Sequence, residues 1–319
     1  MIRIVEMQLK RFVPALISLV ALTLSGCGGG GGGGDFGVPQ EPPLWNARNS
    51  GTGNTLFGIG VFSGQAVVVG ALGTILTSPD GIAWTSRSSG TSFHLNGVAA
   101  SGTSAVAVGD VGTIISSADL MTWTSRTSGT TNRLRGVTWT GTQFVAVGDA
   151  GTILTSPEGT SWTPQTSGTT ADLYTAAGDS SIIVVVGVGI FTSPTGTVWT
   201  SRTSVGGPVL HGAVWSGAQF LIVGNSGSSG SLSNAQTSFD GMAWTARTTT
   251  FANAMFAAAW SGSEFMIVGQ SGVTLHSADG IGWTGGFEES SLGPDLNGVG
   301  WHNNRFIAVG TGGRILTTL

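Results

Sequence analysis

The chain has 319 residues, of which only 9% are charged, and its 12 basic against 16 acidic side chains give a formal net charge of −4. With Lys10 as its single lysine it lacks the basic patches on which nucleic-acid binding depends, so that class of partner is excluded. Cys27 is the only cysteine, which excludes an internal disulfide.

Residues 1–26 read as a signal peptide. Lys10 and Arg11 precede an apolar run from Phe12 to Leu24, long enough for a signal core and too short for a comfortable membrane span. Glu6 is unusual in such a leader, and Met7 is an alternative start. Leu24-Ser25-Gly26-Cys27 resembles the bacterial lipobox, in which the cysteine is acylated and becomes the first residue of the mature protein. Cys27 is therefore the expected lipidation site, anchoring the protein to the cell envelope without spanning the membrane. Gly28 after it favours the outer membrane if the host has two. Residues 27–43, with glycine from Gly28 to Gly34 and then Pro42-Pro43, read as a tether. Loss of Arg3, Lys10, Arg11 and Glu6 with the leader leaves 9 basic and 15 acidic residues (12 less 3, 16 less 1).

From residue 44 to 319 one unit recurs. Trp45, Trp84, Trp123, Trp162, Trp199, Trp244 and Trp283 stand 39, 39, 39, 37, 45 and 39 residues apart, each but the first followed by threonine. A period near 40 marks a repeat architecture in which each unit buries its face against its neighbours. In the unit from Leu134 to Trp162, Val137–Thr140, Phe144–Val147 and Thr152–Thr155 read as strands A, B and C, and the residues after Trp162 as strand D. Glycine or threonine interrupts every stretch before a helix is established.

The turns fit a four-stranded meander. Gly-x-x-Gly between B and C, as in Gly70/Gly73 and Gly148/Gly151, is expected to supply positive φ in a tight hairpin. Between C and D the pattern Ser-x-Asp-Gly-x-x-Trp is intact at Asp80, Asp240 and Asp279. Asp119 keeps the acid but is followed by Leu120, while Glu158 and Thr195 replace the aspartate in the third and fourth units. The aspartates are expected to be structural, accepting backbone N–H bonds across the turn, with the tryptophan packed on the hairpin.

These units resemble the Asp-box (bacterial neuraminidase) repeats of β-propellers, and more specifically the repeats of the photosystem II stability and assembly factors, which share the run VG-x-x-G-x-I-x-x-S-x-DG-x-x-W. The resemblance covers residues 44–319. It implies an all-β, seven-bladed propeller of four-stranded antiparallel blades and, as one function, an assembly factor for a membrane protein complex. The final unit supplies A (Asn297–Trp301), B (Phe306–Val309) and C (Arg314–Thr317) but no D, whereas Leu44–Arg48 is a D strand with nothing before it. The N-terminal strand around Trp45 is expected to complete the last blade and remove an exposed edge.

Propeller topology puts the D-to-A and B-to-C loops on one face and the C-to-D turns on the other. Aligned on Leu56, Leu95, Leu134, Leu173, Leu210, Met255 and Leu296, the next residues are Phe57, Asn96, Arg135, Tyr174, His211, Phe256 and Asn297. Scaffold positions repeat and this one does not, so these seven are the candidate ligand-binding ring, with His94, Arg133, Asp172 and Asp295 as a rim. An insertion from Asn225 to Asn234 falls on the same face. Arg48, Arg87, Arg126, Arg202 and Arg247 each follow their tryptophan by three positions, Gln165 substituting once; they read as guards of the outer strands or as a basic band for an acidic partner.

Catalysis is not expected. Sialidase chemistry needs three clustered arginines and a tyrosine with a glutamate partner, but Glu158, Glu264, Glu288 and Glu289 fall in turns away from Tyr174. Asp172 and Asp295 lie three blades apart, and His94, His211, His276 and His302 form no metal-ligand spacing. No cofactor is implied. The leading expectation is a monomeric, membrane-anchored module binding a protein or glycan at the channel mouth.

Overall fold

The computed structural model describes residues 44–207, 209–225, 234–249, 251–287 and 293–319. The expected signal peptide, Cys27, the tether, positions 226–233 of the insertion, and Glu288 and Glu289 lie outside them. Seven four-stranded antiparallel sheets succeed one another, each ordered A-B-C-D from the inside out. In blade 3 these strands are Leu134–Trp139, Phe144–Gly148, Ile153–Ser156 and Thr163–Gln165.

Strand A starts three residues before the Val137 expected from β-propensity. A bulge between Leu134 and Gly136 lets the ladder resume at Leu134↔Gly148, and the same shift recurs in all seven blades. Beyond it glycines bring the inner strands together: a Cβ on Gly97 would lie 3.1 Å from the Cα of Gly136 in the next blade.

The core lies in the seams between blades. Strand B is buried on both faces, which is why it reads as a continuous apolar run. Val67 and Val69 of blade 1 share a cluster with Leu95, Val98 and Ala105 of blade 2, and Trp123 packs against it. The tryptophan ladder thus joins neighbouring blades as well as covering its own hairpin, since the same cluster holds Ile115 and Leu120 of blade 2 and Trp244 Nε1 donates to Gly241 O in its own turn. A second series, Trp139, Trp215, Trp260 and Trp301, packs on Phe144, Phe220, Phe265 and Phe306 with centroids 4.2–4.7 Å apart and the rings inclined by 37–62°.

The B-to-C connection differs from expectation. Gly148 is extended (φ −167°), and positive φ falls on Ala150 and Gly151. The first glycine is needed for space, since a Cβ there would sit 2.1 Å from the carbonyl oxygen of Arg133. In blade 4 this connection contracts to Gly187-Val188-Gly189, which accounts for the 37-residue interval.

Trp45–Arg48 pairs with Ile315–Thr318, from Trp45↔Thr318 to Arg48↔Ile315, and closes the ring. Arg48 also donates from Nε to Thr317 Oγ1 at 2.9 Å. Arg87, Arg126, Arg202 and Arg247 make the same bond to a hydroxyl on strand C at 2.8–2.9 Å, and Gln165 makes it from Nε2. This regular staple explains the repeat of arginine on the outer strands.

In the C-to-D turns, Asp80 Oδ1 accepts from the N–H groups of Ile82 and Ala83 (2.8 and 3.0 Å) and from Ser78 Oγ (2.9 Å). These bonds, led by that from Ile82, hold the Asp80 carboxyl below the ordinary carboxylate range. Asp119, Asp240 and Asp279 accept the equivalent pairs. In blade 2 the geometry persists with Leu120 at φ 61° in place of glycine.

Candidate functional site at the channel mouth

The residue skipped at each strand-A bulge is the ring residue. Phe57, Asn96, Arg135, Tyr174, His211, Phe256 and Asn297 each stand between the two residues that flank the register shift. A bulge re-aims the extra side chain while the ladder continues on either side. All seven line one cavity of about 190 Å³, together with Arg133, and it continues into a channel of about 270 Å³. A larger hollow of about 860 Å³ between Phe93, Val111 and Trp123 has a counterpart of about 590 Å³ beside Leu72 and Thr91. Its recurrence in blades 1 and 2 makes it a property of the repeat.

Half of the mouth is an aromatic arc. The guanidinium carbon of Arg135 lies 4.6 Å from the Tyr174 ring centroid. Tyr174 meets His211 edge to face at 4.9 Å, and His211 meets Phe256 likewise at 5.6 Å. Asn225 Oδ1 lies 3.0 Å from His211 Nε2. Burial holds the His211 imidazole below its ordinary pKa, the Asn225 contact opposes that shift, and the positive charge of Arg135 adds to it.

The other half is tied down. Asn96 Nδ2 donates to Leu134 O in blade 3 and Asn297 Nδ2 to Leu56 O in blade 1, both at 2.9 Å. Asn96 also donates to Asp110 Oδ1, and Arg133 pairs with the same carboxylate at 3.0 Å. Arg135 contacts Asp149 and reaches Asp172 Oδ2 at 3.3 Å. Phe57 lies 6.1 Å from His94.

The rim residues act between blades. His94 Nδ1 accepts from Leu72 N at 2.9 Å, Asp172 Oδ1 from Ala150 N at 3.1 Å and Asp295 Oδ1 from Ser271 N at 2.8 Å. Each donor is the positive-φ residue of the preceding blade's B-to-C hairpin. Sequence reasoning missed this role because histidine and aspartate fill it interchangeably and Arg133 stands in the same place without it.

Chemically, the arrangement offers aromatic faces and ion-paired guanidinium groups. Both arginines that line the mouth are engaged by aspartates, Arg133 by Asp110 and Arg135 by Asp149 and Asp172. Glu264 contacts His276 Nδ1 at 3.2 Å, away from the ring. Among the described residues no group of three or more His, Cys, Asp or Glu is placed to hold a metal ion.

Neither the family models nor the curated proteins contain a match to this chain. Solved structures do. A structure of YCF48 bound to D1 peptide is 16% identical with a TM-score of 0.69, covering 88% of this chain and 98% of that one. YCF48 from Cyanidioschyzon merolae is 16% identical with a TM-score of 0.64, over 86% and 98% of the two chains. A catalytically inactive virginiamycin B lyase from Staphylococcus aureus with quinupristin is 10% identical with a TM-score of 0.68, over 86% and 99%. WD40 propellers such as that of Doa1, 11% identical with a TM-score of 0.70, align over 87% of this chain and 96% of theirs. At these identities the likeness shows a shared fold, the seven-bladed propeller.

Proposed function

We propose that this chain is an exported binding module, lipid-anchored through Cys27, that engages a segment of a protein partner at the channel mouth. The observation that carries the reading is the bulge series: seven side chains of five kinds, in an otherwise repetitive chain, lining one cavity. The Tyr174–His211–Phe256 arc gives that cavity large, rotationally restricted contact surfaces of the kind that dominate protein recognition. That YCF48 has been solved with a bound peptide supports peptide capture by a propeller of this shape. The same likeness favours, as a second reading, an assembly factor for a membrane protein complex, photosystem II in a phototrophic host. A glycan at the same mouth is the competing ligand class.

The test is a crosslinking capture from host envelope with the wild type and an Arg135→Ala/Tyr174→Ala/His211→Ala variant, folding being checked by tryptophan fluorescence. A protein captured only by the wild type supports the proposal, and its identity separates assembly factor from other binding roles. A polysaccharide captured instead selects the glycan reading. Equal capture by both removes the mouth as the site. Acylation is read separately, by mass spectrometry of the N-terminal peptide and its change in Cys27→Ser.

A further inference from the structure

The face opposite the mouth carries the C-to-D turns, and their tips are apolar. The residue two places after the turn's acid is Ile82 in blade 1, Met121 in blade 2, Met242 in blade 5 and Ile281 in blade 6, all exposed, Met121 to 64%. Blade 5 adds Phe239, 75% exposed, and blade 7 adds Leu44, 70% exposed, where strand D begins. Blades 5, 6, 7, 1 and 2 are consecutive around the closed ring, so these tips form one arc. Thr160 and Thr197 hold the corresponding position in blades 3 and 4, where Val198 is exposed one residue on.

Ring closure gives this arc its meaning. Equivalent positions of like blades lie on a circle and hence near one plane, and a flat surface can meet them all together. Single apolar side chains on a surface are ordinary; here five consecutive blades turn theirs toward the same face. The polypeptide also enters the propeller on this face, at Leu44, the end to which Cys27 is covalently joined.

The charge on the face selects the surface. Asp80, Asp119, Asp240 and Asp279 sit beside the tips with their carboxylates held ionised by backbone N–H groups. An anionic bilayer would be repelled, whereas phosphatidylethanolamine presents an ammonium group to these carboxylates and a neutral headgroup layer to the tips.

We infer that the C-to-D face lies against a lipid bilayer rich in zwitterionic headgroups, with Ile82, Met121, Met242 and Ile281 in the interfacial layer and the channel mouth turned away. The inference rests on the proposed acylation of Cys27 and adds an orientation and a lipid class to it.

The test uses the processed full-length protein in phosphatidylethanolamine/phosphatidylcholine vesicles. A cysteine introduced as Met242→Cys or as Leu72→Cys on the mouth side carries an environment-sensitive fluorophore, since acylation occupies Cys27. Interfacial helices bury apolar groups about 5–10 Å deep, within reach of brominated acyl chains. The expected result is loss of most emission at position 242 and little at 72, with the contrast weakened by added phosphatidylglycerol. An Ile82→Asp/Met121→Asp/Ile281→Asp background, changed only at exposed positions, should abolish quenching at 242 while the protein stays on the vesicles.

Equal quenching at the two positions, or stronger quenching at 72, overturns the orientation. Met242-to-Met242 crosslinks between copies without quenching overturn it in favour of a protein interface. If mass spectrometry shows Cys27 unacylated, the anchor reading fails and the inference with it. Acylated protein without quenching at 242 refutes the orientation alone.

Discussion

Arg135 stacks its guanidinium on Tyr174 at 4.6 Å while its nitrogens engage Asp149 of its own blade and Asp172 of the next. One side chain therefore couples two blades where the channel opens, and its charge adds to the effect of burial on His211. Arg135→Ala is expected to raise the His211 pKa, because a nearby positive charge is removed. The contacts are partly solvated, so stability should fall by only about 1 kcal/mol, a drop in Tm of about 2–4 °C. NMR titration of the imidazole and a thermal melt check both; an unmoved titration refutes the coupling.

His211 also sets a pH dependence. Its folded-state pKa lies below the unfolded value of 6.5, so the unfolded chain takes up the proton first as pH falls. The stability due to its neutral burial is complete above 6.5 and is lost as pH drops from there through the folded value. His211→Phe should flatten the fall in Tm between about pH 7 and 5. The Asp80 and Asp240 turns act in a separate window, losing their contribution only as pH drops below 3.8. Differential scanning fluorimetry across both ranges separates the two.

Removal of residues up to Ser50 should open blade 7. The chain beginning at Gly51 lacks the strand paired with Ile315–Thr318 and the Trp45 that packs against the cluster holding Met266, Val268 and Leu316. By analogy with core tryptophan truncations the loss is about 3–5 kcal/mol. Identical melting temperatures for the shortened and complete propellers would refute the closure role.

Gly148, at the B-to-C hairpin of blade 3, and Gly102, in the A-to-B turn of blade 2, make a paired test of whether the hairpin glycine is required for space. Gly148→Ala places a Cβ 2.1 Å from Arg133 O and should destabilise by about 1–3 kcal/mol or more. Gly102→Ala meets nothing within 4 Å and should stay within about 0.5 kcal/mol of wild type. Chemical denaturation of the two variants checks the contrast.

Much of this architecture is legible in the sequence, and particular residues show why the rest is not. The tryptophan spacing carries blade number, and Leu44–Arg48 without a preceding A strand carries ring closure, because repeat length and strand count are local properties. The destination of each tryptophan is not local. Trp123 packs against a cluster that holds Phe62 and Val67 of the preceding blade beside Ile115 and Leu120 of its own, and no feature of its hairpin announces the first pair. The ring from Phe57 to Asn297 is found by alignment, yet the bulge that turns it inward is silent, since a skipped residue leaves the pattern of apolar positions intact. The rim shows the reverse: His94, Asp172 and Asp295 look like free functional groups until the N–H groups of Leu72, Ala150 and Ser271 are seen to point at them.

The clasp between Arg48 and Thr317 joins residues 269 positions apart. During synthesis the Trp45 strand emerges among the first parts of the propeller, and its mate is among the last. Six blades can form from local pairings, but the circle stays open until Ile315–Thr318 arrives, so long-range loop closure is deferred to the final step. A chain released short of that point keeps an unpaired strand at its front and an unfinished sheet at its rear. Whether the last strand has arrived is thus written into the shape of the ring, and a proteolytic surveillance system can distinguish a closed propeller from a fragment by a single exposed edge.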